Sequence, residues 1–538
     1  MKAEILKKVS HNFAVRVPYE SKDLLKISCD SYKWDKKNKY WLVPATKESF
    51  IKLRDNFKEL DFNESIRQYL WQLHEQEQKI EYIHKIRNDP EWRLNGKLSY
   101  LYSHQCVAFE SARTFNSFAF FLDTGTGKTA VSIEIIKHYG LKTLVVCPLS
   151  IIEAAWLSDI QKFSSSQEGL KAISLWASSK SKRLEKLAAN RHQVYIINFE
   201  GLKILEKELI GANFGLIIID ESSKMKDFKS QTSKCILRFA NHIPKRYILS
   251  GSPAPNTPLE YWAQINFVDP TLFPDNFYRF RNLYFFQSDY MGYKYDITPE
   301  NKRKLMDIIK RKAIFYSKDE CLDLPEKIYQ ERIIEMSKPQ AVAYKQMKID
   351  LMIKIQDKTI SVTNQIAKIM KLRQVTSGWI YHEVGPIKIA DTKINELKDV
   401  LSEIGDKQVI IWIQFHFEGH ALMDIFKEKA CSLWGDLNHD QRERSISDFQ
   451  TGKKQYLIAN PATAAHGLTF VNCQYAIYFS LSYSAELWKQ SQDRIHRIGQ
   501  AKNVTYIYLL CNNSIDLKIY EILRSKKKLS EECLSWLN

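Results

Sequence analysis

The sequence contains no apolar run of membrane-spanning length, and its first residues, MKAEILKKVSHNF, lack the continuous apolar core of a secretion signal. Both absences predict a soluble, cytoplasmic protein with no membrane partner. No C-x-x-C pair occurs: nine cysteines stand scattered at Cys29, Cys106, Cys147, Cys235, Cys321, Cys431, Cys473, Cys511 and Cys533. An odd number of isolated cysteines in a long chain argues against a disulfide framework or a zinc site and predicts reduced core thiols. Low-complexity tracts are missing, and an apolar content of 44% argues against a disordered chain. Acidic residues run short: 62 Asp and Glu face 79 Lys and Arg, a formal net charge of +17. An excess of that size attracts polyanions such as nucleic acid, without naming one.

What is present is a repeated grammar. A chain of 538 residues exceeds a single core, so roughly two to four domains are expected. From about residue 100 to 270, apolar runs alternate with helical patterns: LKTLVVCP (Leu141 to Pro148), VYIINF (Val194 to Phe199), FGLIIIDE (Phe214 to Glu221) and RYILSGS (Arg246 to Ser252). From about 390 to 512 the same grammar returns in QVIIWIQF (Gln408 to Phe415), YLIANP (Tyr456 to Pro461), YAIYFS (Tyr475 to Ser480) and VTYIYLL (Val504 to Leu510). Continuous apolar strands between helices predict parallel sheets covered on both faces. The fold class is therefore α/β, with two lobes facing a cleft. The expected division is a small α+β module at 1–60 (strand, helix, strand, strand, helix), a helical linker at 61–97 and a first lobe at 98–270. A helical, aromatic-rich insertion and connector at 271–376, a second lobe at 377–515 and a helical tail at 516–538 follow.

FFLDTGTGKT (Phe120 to Thr129) reads as a strand entering a glycine turn that opens a helix ended by Gly140. Backbone N–H groups of such a turn, from Thr124, Gly125, Thr126 and Gly127, face a phosphate chain. Lys128 would neutralise its β and γ oxygens, and the Thr129 hydroxyl would hold Mg²⁺. Leu122 occupies the place of the motif's first glycine, and isolated G-x-G-K-T matches also occur in plain turns. In IIIDES (Ile217 to Ser222) a buried strand ends in two acids that would repel each other without a cation. Asp220 is the Mg²⁺ candidate, and Glu221 the group that orients and deprotonates water. Gln105 carries an amide able to pair with adenine's edge. In QSQDRIHRIGQ (Gln490 to Gln500), Arg494 and Arg497 stand at i and i+3, which places them on one helix face and calls for an anion. A pair of surface salt bridges is the alternative.

These motifs, in this order, resemble the Swi/Snf-type ATPases of helicase superfamily two over roughly residues 98 to 515. The set includes VVCPLSIIEAAW, LSGSPAPN, LPEK, MKLRQVTSG and ANPATAAHGLTF, and D-R-x-H-R-I-G-Q is close to a signature of the group. The resemblance implies two RecA-like lobes with ATP and Mg²⁺ in their cleft and duplex DNA across both. It implies that Gln105 reads adenine. Gln490, Arg494 and Arg497 would reach the nucleotide from the second lobe, the arginines as fingers on the γ-phosphate. Ser150, Thr463 and Gly467 would meet DNA phosphates without reading bases, and Ser250 and Ser252 would connect the ATP state to lobe closure. DESS in place of DEAH puts in doubt any coupling carried by the histidine. The short insertion argues against a large chromatin-remodelling machine, and DESSKMK and NPATAAHGL resemble the compact bacterial and bacteriophage branch, in the cytoplasm of a bacterial or phage-infected cell.

The N-terminal stretch FAVRVPY followed by YKWDKKNKYWLVP resembles the HARP module of annealing helicases. There Trp34, Lys36, Lys37, Lys39, Tyr40 and Trp41 would engage branched or forked DNA; a small sheet with two core tryptophans and a solvated lysine turn is the alternative. The resulting expectation is a monomeric, DNA-dependent ATPase that translocates on double-stranded DNA and remodels or anneals forks, in repair or recombination. A strand-separating helicase and a catalytically idle nucleic-acid scaffold are the competing readings.

Overall fold

The computed structural model describes residues 2–9, 12–29, 32–94, 98, 100–163, 169–189, 191–274, 276–289, 294–356, 362–382, 385–435, 437–464 and 468–525. Two compact units divide the chain, residues 1–118 with 265–313 and residues 119–264 with 314–538. No helix among the described residues is long and apolar enough to cross a membrane. None of the eight described cysteines is in a disulfide, and seven are buried, as expected of core thiols.

The N-terminal module is a five-stranded sheet: β1 (Lys2–Val9), β2 (Asn12–Arg16), β3 (Lys33–Asp35), β4 (Tyr40–Pro44) and β5 (Glu59–Phe62), in the order β3-β4-β2-β1-β5. Helices Lys22–Ser28 and Lys47–Asn56 cover the face where Ile5, Phe13, Val15, Leu25, Val43 and Leu53 are buried. Two strands more than expected are present. In β1 the lysines of KAEILKKV mask a period of two, in which Ala3 and Ile5 point inward and their charged neighbours outward; the acidic ELDF of β5 pairs parallel to β1. The 24-residue helix Glu64–Arg87 follows, with the Asn63 side chain accepting the Ile66 N–H at 3.0 Å.

In the second unit β6 (Ser117–Leu122), β7 (Thr143–Cys147), β8 (Ala172–Ser174), β9 (Val194–Asn198), β10 (Leu216–Asp220) and β11 (Lys245–Ser250) build the first large sheet. The insertion, which belongs to the first unit, forms helix Phe277–Tyr284, a hairpin of β12 (Phe285–Gln287) and β13 (Tyr295–Ile297), and helix Pro299–Lys310. Its aromatics make their own small core, with Phe273 and Phe280 ring centroids 4.7 Å apart. β14 (Ala313–Tyr316) completes the sheet, ordered β14-β6-β11-β10-β7-β9-β8. Strands β7 to β11 are mutually parallel, and every residue of β6, β7, β9 and β10 is buried, the signature of a sheet covered on both faces.

The second sheet holds β15 (Lys327–Ile334), β18 (Val409–Trp412), β19 (Ala430–Leu433), β20 (Tyr456–Ala459), β21 (Tyr475–Tyr478) and β22 (Val504–Cys511); a short hairpin of β16 (Trp379–His382) and β17 (Gly385–Lys388) stands apart from it. Its order is β15-β22-β21-β18-β20-β19, all parallel. Alternate residues feed two separate cores: Ile410, Trp412, Tyr478 and Tyr508 on one face, Val409, Ile411, Ile477 and Leu509 on the other. The two parallel-sheet lobes expected from the grammar are present.

Candidate active site

Three neighbouring strands of the first sheet, β6, β11 and β10, end in the cradle, SGS and DES segments. The carboxyl end of an α/β sheet is where ligands bind. Asp123 continues the β6 pairing by donating its N–H to Tyr316 O at 3.0 Å. Gly125 and Gly127 then take φ values of +86° and +84°, a left-handed turn that L side chains resist. Gly127 caps helix Lys128–Tyr139, which Gly140 ends in a left-handed conformation with its N–H on Ile136 O. The turn leaves Thr124, Gly125 and Gly127 partly exposed at the helix start, while Thr126 is buried with its hydroxyl on Asp123 O at 2.7 Å. Lys128 Nζ lies within 2.9 Å of Leu122 O and 3.3 Å of Asp123 O, and Thr129 is half-buried beside it. Leu122 costs the loop nothing, because that position is the buried last residue of β6 rather than part of the turn.

Asp220 is buried at the tip of β10. Its Oδ2 accepts the Trp156 indole N–H and its Oδ1 the Glu221 N–H, each at 2.9 Å. Burial, then the neighbouring Glu221 charge, push the Asp220 carboxyl up to about 6 against the pull of Lys128. Glu221 itself is held at φ +57°, a strained position for a residue with a Cβ. A buried carboxyl oxygen next to a second acid offers the hard oxygen donors that suit a divalent cation. The SGS loop presses on the cradle: a Cβ at Gly251 would sit 3.0 Å from Thr124 Oγ1 and 3.2 Å from Thr124 N. Ser250, buried, accepts the Ser252 N–H at 3.2 Å.

The arginines depart from expectation in one respect. Helix Ala485–Gln492 stops before them, and residues 493–499 run as successive turns, so Arg494 and Arg497 do not share a helix face. Ile495 is drawn into the core and Gly499 takes φ +96°, which a continuing helix would not allow. The turns nonetheless bring both guanidinium groups to one oxygen: Arg494 Nη1 and Arg497 Nη1 donate to Leu468 O at 2.9 and 3.2 Å. Arg494 Nε donates to Gln490 O at 3.0 Å. Burial pushes the Arg494 guanidinium down to about 10, with Arg497 adding to the shift and Glu221 opposing it; burial lowers Arg497 as well. A Cβ at Gly125 would lie 3.0 Å from Arg497 Cβ, so the arginine turn abuts the cradle. Surface salt bridges do not describe these residues.

Residues 63–378 match the SNF2-related domain, and residues 392–499 match the helicase conserved C-terminal domain. The chain belongs to the SNF2-related family. Both matched domains are those of helicase-like ATP hydrolases that act on DNA. Among similar proteins, putative protein p41 of Acyrthosiphon pisum secondary endosymbiont phage 1 is 24% identical, over 76% of this chain and 92% of its own length. An uncharacterised ATP-dependent helicase of Mycoplasma genitalium is 24% identical over 84% of this chain. A SWI/SNF-related, matrix-associated, actin-dependent regulator of chromatin subfamily A-like protein 1 of Xenopus laevis is 27% identical over 76% of this chain. The chain spans 44% and 41% of the length of these last two. The SWI2/SNF2 ATPase core of Sulfolobus solfataricus, solved with double-stranded DNA, shares 20% identity at a TM-score of 0.37, covering 82% of this chain and 93% of that one.

The other residues singled out in this SNF2-related chain fall elsewhere. Gln105 is buried in the first unit, where its Oε1 accepts the Tyr102 N–H at 3.0 Å at the start of helix Ser103–Thr114. Gln490 is buried, its Nε2 3.3 Å from Glu486 Oε1. Ser150 lies half-buried in the turn after β7; Thr463 lies half-buried in the short helix Pro461–Ala464, its carbonyl accepting Arg442 Nη2 at 2.9 Å. Gly467 lies outside the described residues.

In the N-terminal module Trp34 stands opposite Trp41 in the β3–β4 register, with ring centroids 5.0 Å apart, and Tyr32 lies 5.8 Å from Trp41. Trp34 is 41% exposed, whereas Trp41 is half-buried and packs against the module's core, so the core reading holds in part for Trp41 and not for Trp34. Lys36, Lys37 and Lys39 are exposed in the turn that Asp35 organises by accepting the Lys37 and Asn38 N–H groups. Tyr40 is buried on the opposite face, so it is not part of this surface.

Two connections were not evident from sequence. The buried Ser222 hydroxyl donates to Gln264 Oε1 at 2.7 Å, and Gln264 Nε2 donates to Pro253 O at 2.6 Å. A glutamine far along the chain thereby joins DESS to SGSPAPN. Lys318 and Lys489 both reach Asp123, the first through its backbone N–H at 3.2 Å and the second through its ammonium at 2.8 Å. Isolated Gln and Lys residues carry no sequence signal that separates them from ordinary surface positions.

Proposed function

We propose that this chain is a DNA-dependent ATPase that translocates on double-stranded DNA without sequence specificity and remodels or anneals branched or forked DNA. The observation that carries the reading is the abutment of the Arg494 and Arg497 turn on the Gly125 cradle. In this reading the Thr124 to Gly127 backbone and Lys128 hold the triphosphate, and Thr129 and Asp220 hold Mg²⁺, which supplies charge neutralisation between phosphates. Glu221 takes the proton of the attacking water, and the two arginines stabilise charge on the γ-phosphoryl group. Gln105 pairs with adenine, Gln490 lies along the nucleotide, and Ser150, Thr463 and Gly467 meet DNA phosphates.

Support for a forked substrate comes from the paired rings of Trp34 and Trp41 beside exposed lysines, which together suit unpaired bases and backbone. The module, linker, lobes, connector and tail are assigned to residues 1–60, 61–97, 98–270, 271–376, 377–515 and 516–538. The compact bacterial or bacteriophage branch, a monomeric state and action in repair or recombination belong to the same proposal. The near-complete length match to a phage protein supports the first of these. The test is the ATPase rate on single-stranded, duplex, forked and four-way DNA. Stimulation highest on forked DNA is expected; strand displacement of a partial duplex would favour a helicase, and no phosphate release with any DNA would leave a binding scaffold.

A further inference from the structure

The segment after β14 carries a lysine whose surroundings ATP hydrolysis chemistry alone does not explain. Ser317 caps the short helix Lys318–Cys321, its Oγ and backbone N–H both engaged with Glu320. That fixes the next residue, Lys318. Its backbone N–H donates to Asp123 Oδ2 at 3.2 Å, while Asp123 returns its own N–H to Tyr316 O at 3.0 Å. The segment is thereby bolted to the first residue of the phosphate cradle. The Lys318 side chain then runs the other way. Its ammonium, buried, pairs with the buried Asp493 carboxylate and donates to His496 O at 2.9 Å.

Each of those two acceptors stands directly before one of the arginines. Asp493 immediately precedes Arg494, and His496 immediately precedes Arg497. The His496 ring is itself tied 2.8 Å from Pro325 O, so the turn is held from the same connector at a second point. A Cβ at Gly125 would meet Arg497 Cβ at 3.0 Å and Lys318 Cε at 3.7 Å, so the lysine stem and the arginine turn both abut the cradle. An ion pair so buried is a weak source of net stability, since desolvation offsets the attraction; its use lies in fixing one arrangement over others. Burial pushes the Lys318 ammonium down to about 8, with Asp493 opposing that shift.

We propose that Lys318 is a positioning residue: it pins the turn bearing Arg494 and Arg497 to the Asp123 end of the phosphate cradle, so that both guanidinium groups meet the γ-phosphate in register. The proposal rests on the ATPase reading above and adds to it a residue outside the helicase motifs. Its specific content is that the effect falls on the chemical step and not on nucleotide capture, because Lys318 touches neither Lys128 nor the glycine N–H groups through any hydrogen bond in its described set.

The test uses the full-length protein and three variants, Lys318→Met, Asp493→Asn and the double variant. Each is assayed for thermal unfolding, affinity for a fluorescent ATP analogue, and single-turnover hydrolysis with saturating DNA. Lys318→Met leaves an uncompensated buried carboxylate and is expected to unfold at lower temperature; the double variant removes that charge and recovers the loss. Hydrolysis is expected to fall about 100-fold in Lys318→Met and to stay low in the double variant, as for a reacting group displaced by about 1 Å. Nucleotide affinity is expected to change by less than about 3-fold, as for a loss confined to the transition state. A double variant that hydrolyses ATP at the wild-type rate would show that the pair is structural only and would overturn the proposal, as would a loss of affinity equal to the loss of rate. Wild-type protein that releases no phosphate, or an Arg494→Ala variant with full activity, would instead overturn the ATPase reading on which this rests.

Discussion

At the scale of single residues, Asp220 governs the response to pH. Its carboxyl sits at about 6 in the folded chain because burial opposes the charge. Below about pH 4 it is protonated in folded and unfolded chains alike. Between about pH 4 and 6 the folded chain keeps a proton that the unfolded chain has released, and above that window the buried charge costs the fold on the order of 3 kcal/mol. Without divalent cation, urea unfolding of wild type and Asp220→Asn should therefore diverge as pH rises from 4 to 6, wild type losing ground. Parallel profiles would mean that the site is wetter than its burial implies. With Mg²⁺ and ATP the same carboxylate must be ionised, so hydrolysis should fall as pH drops through this range, and the cation should shift the midpoint down. Glu221→Gln should bind ATP and fail to turn it over; measured phosphate release near the wild-type rate would remove Glu221 from the role of base. Arg497→Lys keeps the charge but loses the planar fork. A drop of about 10³-fold in hydrolysis with little change in ATP affinity is expected if it acts as a finger.

Elements carry the coupling between these residues. Gly251 lies where the loop after β11 meets the cradle, and a Cβ there would press on the Thr124 backbone N at 3.2 Å. Gly251→Ala should thus weaken nucleotide binding while the β10–β11 pairing keeps the lobe folded, a split readable by titration and circular dichroism. Ser222→Ala strands the buried Gln264 Oε1, which should lower stability by about 1 to 3 kcal/mol. It should also reduce DNA stimulation of the ATPase more than its basal rate. Strands were the most legible elements in the sequence, since buried parallel strands are continuous apolar runs whose boundaries differ little from LVV, IIN and IIID as written. The arginine turn was not legible as a turn. An i, i+3 spacing satisfies a helix and a run of turns equally, and only the burial of Ile495 with the left-handed Gly499 decides between them. The cradle was readable because glycine is the residue its left-handed φ demands; Gln264 and Lys318 were not, because their roles arise from partners 42 and 175 residues distant in the chain.

For the molecule as a whole, net charge bears on the partner. A net charge of +17 predicts DNA stimulation that weakens steeply with salt, while ATP hydrolysis without DNA changes little over the same range. A flat salt profile for the stimulated rate would argue against a phosphate-tracking mode. In the N-terminal module, Trp34→Ala together with Lys36, Lys37 and Lys39→Ala leaves the buried core of Ile5, Phe13 and Val43 intact. It should erase the preference for forked over linear duplex without touching the basal rate; an unchanged preference would assign the module to architecture alone. That one tryptophan of the pair is exposed while the other packs against the core could not be read from composition, since a short strand with two tryptophans fits a core as well as a surface.

Leu468 O, where both guanidinium groups meet, is a peptide oxygen. Every amino acid offers the same atom at that position, but the Leu468 side chain is buried in the core, so a conventional substitution there would report lost packing and not the acceptor. Only chemical editing of the main chain, such as an amide-to-ester exchange that makes that oxygen a poorer acceptor, would reveal how firmly the two arginines are parked there.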